Sequence, residues 1–312
     1  MNNNLVVSTS PHIHRHESTA TIMWAVVIAL IPSGIGSVWI FGLSALWVIL
    51  TGVLSAVVFE VLIQRLRGQE VSVLDGSAVL TGLLLTYNLP PVVPLWIPVV
   101  GSFFAIAIVK HAFGGLGRNI FNPALAGRAF LLAAWPTYMT TFHAPYDALT
   151  TATPLALLKE GKILNLAEMN LTYGDLFFGG RAGCIGEVCI GLLILGAIFL
   201  WVRGVFSLHA PFAFIATLAL FSWAFGGTAL FSGDWIFAIL SGGLILGAFF
   251  MATDYVTTPL TLKGQAIFGI GCGLITFVIR KWGGYPEGVS YSILMMNAFT
   301  PLIDRYVRPK RY

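Results

Sequence analysis

Charged side chains are scarce in this chain. Of its 312 residues only 10% are Asp, Glu, Lys or Arg, against roughly 25% in soluble domains. With 57% hydrophobic residues and a mean hydropathy of +0.86, the apolar surface exceeds what a water-soluble core can hide, so the bilayer must act as solvent. Cysteine is scarce too. Cys184, Cys189 and Cys272 form no CxxC pair, which argues against a four-cysteine iron–sulfur or zinc site within the chain. Cys184 and Cys189 lie near the start of one apolar segment, which leaves plain buried thiols or a metal shared with a partner. The net charge is only +4 and no lysine-rich patch is present, so a nucleic-acid partner is not expected. Met1 to Thr19 is polar, and the first apolar run is long enough to span rather than to act as a signal peptide. His12, His14 and His16 alternate in that tail, a pattern too thin to make a metal site.

What is abundant fits a membrane interior. The chain has 34 Gly, 23 Phe and 9 Trp, as expected where helices pack closely and aromatic rings sit at interfaces. Ten hydrophobic segments fall near 21–42, 43–63, 76–90, 95–111, 119–136, 184–202, 207–226, 234–252, 265–281 and 288–306. Most can cross a hydrocarbon core about 30 Å thick at roughly 1.5 Å per residue. The third is short and ends in Asn88-Leu-Pro-Pro91. A segment broken at membrane depth must find partners for its freed backbone groups, so it is expected to line a cavity.

With the N-terminus in the cytoplasm, Arg15, Arg65, Arg67, Lys110, Arg118, Arg203, Lys263, Arg305, Arg308, Lys310 and Arg311 fall inside. Lys159, Lys162, Arg181, Arg280 and Lys281 fall outside, and Arg128 sits within a span. The excess inside favours ten spans with both termini cytoplasmic; Arg280-Lys281 is the weakest point of that reading. The expected organisation is a cytoplasmic tail over 1–20, a five-helix unit over 21–136, an extracytoplasmic loop over 137–183, a second five-helix unit over 184–306 and a cytoplasmic tail over 307–312. The units look related. Gly82 to Pro91 precedes a segment ending in Lys110-His-Ala-Phe-Gly-Gly115, and Gly247 to Pro259 precedes one ending in Arg280-Lys-Trp-Gly-Gly284. An odd number of spans in each predicts inverted repeats, with a site near the midplane.

Polar groups that could carry chemistry are few. Asp147-Ala-Leu-Thr-Thr-Ala-Thr-Pro-Leu155 is a threonine-rich island. Thr153 before Pro154 reads as the N-cap of a short helix, and the free N–H groups of such a helix would favour a phosphate. Arg128 is expensive inside a span and must be paired or face a cavity. Asn119 and Asn122 either bind a ligand or cap the helix start. Asp254 either serves an ion path or pairs with Lys263. Glu60 is expected to pair locally with Arg65 and Arg67. Glu187 lies close to Cys184 and Cys189.

The threonine island is similar to the D-x-x-(S/T)-G-A-T signature at which a flavin transferase esterifies FMN to the last threonine, with Thr151 in place of the usual glycine. Gly114-Gly-Leu-Gly-Arg-Asn-Ile-Phe-Asn-Pro-Ala-Leu-Ala-Gly-Arg-Ala-Phe130, Phe250 to Pro259, Gly283 to Tyr291, Asn297 to Asp304 and Ser10-Pro-His12 point the same way. Through nearly its whole length the chain resembles the membrane-protein family that contains the D subunit of the Rnf ion-translocating electron-transport complex and the B subunit of the Na+-translocating NADH:quinone reductase. The resemblance implies an all-α polytopic membrane protein, with ten transmembrane helices in two inverted five-helix repeats and a urea-transporter-like architecture. It implies covalent FMN on Thr153 and a non-covalent riboflavin, for which Asn119, Asn122 and Arg128 are candidate contacts, and it leaves Asp254 as a candidate on an ion pathway. It implies a bacterial or archaeal inner-membrane complex with the A, B, C, E and G subunits of Rnf as partners. That complex passes electrons between ferredoxin and NAD, coupled to Na+ or H+ movement, and this subunit catalyses no complete reaction alone. A stand-alone channel or carrier for a small solute is the rival reading.

Overall fold

The computed structural model describes residues 18–143, 150–160, 171–227 and 229–308. The expectations that fall on Asp147, Lys162, the three tail histidines, Ser10-Pro-His12, Arg15, Lys310 and Arg311 lie outside the described residues.

Ser18 caps the first helix, its hydroxyl accepting from Thr21 N–H at 3.2 Å. α1 (Thr19–Phe41) and α2 (Leu43–Leu66) are separated by Gly42 alone, at φ 75, a left-handed conformation that glycine adopts without strain. α3 (Ser77–Tyr87) ends at Asn88, and the two following prolines keep the chain irregular up to α4 (Trp96–Phe103), which continues into a π-helical stretch, Phe104–His111. α5 (Pro123–Ala134) and the short α6 (Pro136–Thr140) follow. A two-residue antiparallel pair joins β1 (Phe142–His143) to β2 (Thr150–Thr151), with Phe142 opposite Thr151. Then come α7 (Pro154–Lys159), α8 (Tyr173–Phe178), α9 (Ile190–Val202) and α10 (His209–Phe225). α11 (Trp235–Leu240) is interrupted at residues 241–243 before α12 (Leu244–Leu246) and a second π-helical turn, Gly247–Met251. α13 (Leu262–Trp282) and α14 (Val289–Tyr306) complete the described fold.

Three of the expected segments are less regular than their hydropathy. The fifth becomes helical only at Pro123 and the sixth only at Ile190, while the eighth breaks at Ser241-Gly-Gly243. Apolar character reports burial in lipid or protein and not backbone state. At these places glycine, asparagine and proline override it.

Polarity is arranged inside out. Apolar side chains point outward along whole helices: Ile28, Ile31, Ile35 and Trp39 on α1, and Leu43, Trp47, Leu50, Leu54, Val58 and Leu62 on α2 are all exposed. Glu60, Lys110, Arg128, Arg181 and Glu187 are buried. In water that arrangement would be untenable; in a bilayer it is the required one. α1, α2 and α13 are long and apolar enough to cross a membrane, with hydropathies of 1.9, 2.4 and 1.7. The remaining apolar helices are shorter and packed among them. Small residues permit the closest approaches. A Cβ on Gly269 would lie 2.4 Å from the Ala210 carbonyl oxygen, so α13 and α10 meet backbone to backbone, as small-residue interfaces in membranes do. Gly196 brings α9 equally close to Ala29 of α1.

Candidate functional site

Thr153 stands where the chain leaves the small sheet and enters α7. Its hydroxyl accepts from Ala156 N–H at 3.3 Å and Pro154 occupies the first helical position, so the expected N-cap is present. α7 has only six residues, so few aligned peptides contribute to a dipole and neighbouring cations must supply most of the attraction for a phosphate.

Those cations are there. Thr153 is buried at 6% exposure and lines a cavity of about 420 Å³ together with Arg128, Lys159, Tyr285, Glu287 and Tyr291. The Tyr285 and Tyr291 rings are stacked at 5.1 Å between centroids. Lys159 Nζ donates to the carbonyls of Ile279 at 3.0 Å and Tyr285 at 2.7 Å, fastening α7 to the end of α13. Burial lowers the Lys159 pKa from its ordinary value. Lys159, Arg128 (shared with Glu287), a ring platform and a threonine hydroxyl offer donors to a planar aromatic carrying phosphate, with the carboxylates of Glu160 and Glu287 on the same lining.

Beneath the cavity lies a buried ionic cluster that sequence reasoning saw only in part. Arg128 on α5 donates to the Glu287 carboxylate, to Ser290 Oγ at 2.6 Å and to Asn88 Oδ1 at 3.4 Å. Its Nη2 also lies 3.8 Å from Cys184 Sγ and 4.0 Å from Glu187 Oε1. Arg128 is therefore paired, as its depth requires. Arg181 donates to the carbonyls of Glu187 and Gly242. Arg280 donates to those of Ala238, Ser241 and Glu287. Guanidinium groups thus take the Glu187, Ser241 and Gly242 carbonyls freed by the breaks at 184–189 and 241–243.

Cys184 Sγ, a Glu187 oxygen and a Glu287 oxygen lie within 4.8 Å of one another, a spacing that could suit a metal. The Arg128 guanidinium already stands against all three and supplies the positive charge there. Glu287 lies in a glycine- and proline-rich stretch that reads as a loop. Its signals in the sequence are its place within Gly283 to Tyr291, a stretch that carries the family resemblance, and the rarity of a carboxylate in so apolar a chain.

Asn119 and Asn122 are not beside Arg128. They line a second cavity of about 70 Å³, with Ser77, Lys110, Thr253 and Asp254. Asn122 caps α5, its Oδ1 accepting from Ala124 and Leu125 N–H at 3.1 and 3.3 Å. Asn119 donates to the Phe121 carbonyl at 3.1 Å, and its buried Oδ1 has no partner among the described residues. The three candidate contacts therefore divide between two cavities.

Asp254 caps its own turn, accepting from Thr257 Oγ1 at 3.2 Å, and no ion pair to Lys263 is present among the described residues. Glu60 does not pair with Arg65 or Arg67. It takes Lys110 Nζ on both oxygens at 2.9 Å, with His111 Nε2 at 3.1 Å. The π-helical stretch presents the consecutive residues Lys110 and His111 to the same carboxylate. π-Turns often mark such constrained places. Cys184, Cys189 and Cys272 are free, buried thiols.

A lipid-facing apolar exterior around buried ion pairs, with interrupted helices at two cavities, defines a polytopic helical membrane protein. The sequence profile of the NQR2, RnfD, RnfE family matches residues 6–312, and the chain belongs to that family. It is 52% identical to the D subunit of the Na+-translocating ferredoxin:NAD+ oxidoreductase complex of Acetobacterium woodii, over 99% of this chain and 95% of that one. It is 48% identical to the D subunit of the proton-translocating ferredoxin:NAD+ oxidoreductase complex of Clostridium ljungdahlii, over 99% and 96%. It is 36% identical to the D subunit of an ion-translocating oxidoreductase complex of Aliivibrio salmonicida, over 98% and 97%.

Proposed function

We propose that this chain is the flavin-carrying membrane subunit of an ion-translocating ferredoxin:NAD+ oxidoreductase complex, with FMN esterified to Thr153. The carrying observation is the position of Thr153: the last threonine of the flavinylation-like island opens on a cavity that also holds Arg128, Lys159 and the stacked Tyr285–Tyr291 pair. Bound there, FMN would supply the electron-transfer chemistry. The chain's own residues would hold its phosphate end through Thr153 and the nearby cations, and flank its ring with tyrosines. A flavin transferase would load it during maturation. The A, B, C, E and G subunits of Rnf would feed and drain it, and riboflavin at a second position would involve Asn119 and its unpartnered oxygen. Relatives of similar identity translocate different ions, so sequence similarity does not choose between Na+ and H+.

The same reading has both termini in the cytoplasm and the Thr153 loop outside the inner membrane. Four of the five cations assigned outside, Lys159, Arg181, Arg280 and Lys281, hold backbone carbonyls. An inverted repeat is supported by matched packing. α2 meets α4 as α10 meets α13, and α3 meets α5 as the turn Gly247–Met251 meets α14. α1 also meets α9, and α5 meets α14, each a pair of equal rank in the two units. The same five-helix logic underlies the urea-transporter-like expectation.

Mass spectrometry of the peptide containing Thr150, Thr151 and Thr153, from complex made alongside an active flavin transferase, tests the assignment. FMN mass on Thr153, and an in-gel fluorescent band lost in Thr153→Ala, are the expected results. A bare peptide together with solute flux would return the stand-alone pore to first place.

A further inference from the structure

One carboxylate oxygen in the buried cluster is anomalous. Glu187 is 2% exposed, and its Oε1 has no hydrogen-bond partner among the described residues. The nearest cation atom, Arg128 Nη2, stands 4.0 Å away and is committed to Glu287. A bare oxygen on an ionised, buried carboxylate costs several kcal/mol. A proton on Glu187 removes that cost, because the resulting O–H turns an orphan acceptor into a donor. A Glu287 oxygen and Cys184 Sγ both lie within 4.8 Å of a Glu187 oxygen, a separation that one bridging water can span. Two carboxyl groups so close, in one desolvated place, do not both ionise readily.

We infer that Glu187 and Glu287 share one exchangeable proton, forming a proton-binding site under the Thr153 cavity. The groups facing the pair are Arg128 from α5, Arg181 and Cys184 from the segment before α9, and Arg280 from α13. Ser290, Tyr285, Tyr291, Lys159 and Glu160 stand at the cavity side. Arg280 directs its hydrogens to main-chain carbonyls, and Arg181 does so through Nη2, its buried Nε having no partner among the described residues. Their charges lower the cost of ionising Glu187 without satisfying its bare oxygen, and this keeps the proton exchangeable rather than permanent. Glu287 lines the cavity whereas Glu187 does not, so the proton enters and leaves through Glu287.

One consequence rests on the flavin reading of Thr153, whereas the site itself does not. When an electron from the ferredoxin-fed chain enters the cavity, its negative charge favours a proton moving from water onto the pair. One electron would stay on the flavin and one proton would come from hydronium: an O–H bond of the hydronium breaks, water is released, and one carboxyl O–H bond forms.

Infrared difference spectroscopy between acid and alkaline pH on the purified complex tests the site. A protonated-carboxyl carbonyl band, shifted in heavy water, is expected in wild type and in Thr153→Ala. It should vanish in Glu187→Gln and change frequency in Glu287→Gln, but not in Glu60→Gln. A band indifferent to Glu187→Gln, or no such band at any pH, overturns the inference. If Glu187→Gln fails to assemble, Glu287→Gln decides: an unmoved band overturns it equally. Because Thr153→Ala carries no flavin on that residue, its retained band separates failure of the flavin assignment from failure of the proton site.

Discussion

Removing the positive partner of Glu60 tests how the interior of this protein tolerates charge. Lys110 Nζ has three hydrogens and three acceptors: the two Glu60 oxygens at 2.9 Å and Ser77 Oγ at 2.8 Å. Both side chains of the ion pair are 2% exposed. Lys110→Met therefore leaves a buried carboxylate without its main cation, a loss of about 3–5 kcal/mol for pairs of this kind. The expected loss lies toward the lower end, about 3 kcal/mol, because Gln64 Nε2 still donates to Glu60 Oε1 at 2.8 Å. Replacing both partners, with Glu60→Gln and Lys110→Met, removes the stranded charge. Gln64 Nε2, now 2.8 Å from Glu60 Oε1, keeps an amide partner. The double variant should lie within about 1 kcal/mol of wild type, giving a coupling of about 2 kcal/mol or more. The assay is denaturant unfolding of the purified subunit in detergent, followed by tryptophan fluorescence and completed as a double-mutant cycle. A single variant as stable as wild type, or a double variant worse than either single, would refute the view that the pair is mutually dependent.

Other outcomes follow from the same contacts. Asn122→Ala removes the oxygen that accepts from Ala124 and Leu125 N–H and should lose about 1–2 kcal/mol, whereas Asn122→Asp should recover most of it; thermal unfolding of the detergent-solubilised chain reads both. Gly269→Ala sets a methyl 2.4 Å from the Ala210 carbonyl oxygen and should destabilise by about 1–3 kcal/mol; cross-linking between cysteines placed on α10 and α13 should report the separation. Lys159→Met frees the Ile279 and Tyr285 carbonyls. It should raise protease sensitivity of the Thr153 loop while α1 and α2 remain protected, and equal loss everywhere would contradict a local role.

Much of this molecule was legible along the chain. Scarce charge and long apolar runs compel a membrane protein, because no water-soluble core of this size could hide them. Thr153-Pro154 announces its own helix start, since an N-cap and a proline at the first turn act within four residues. Asn122-Pro123 does the same for α5. The family, too, was readable from motifs in order.

Partnerships between charges were not legible. Glu60 chose Lys110 and His111, fifty residues away, over the nearby Arg65 and Arg67. Arg128 found Glu287, 159 residues away, and left Asn119 and Asn122 to another cavity. In a soluble protein, amphipathic periodicity says which face of a helix turns inward. Here lipid and protein interior are both apolar, so the helices are apolar all round and that signal is weak. Composition and local hydrogen-bonding rules determined the class and the caps. Only the packed helices decided which of the few ionisable groups meet, because each buried charge must find its partner in space and nothing in its sequence neighbourhood says where that partner lies.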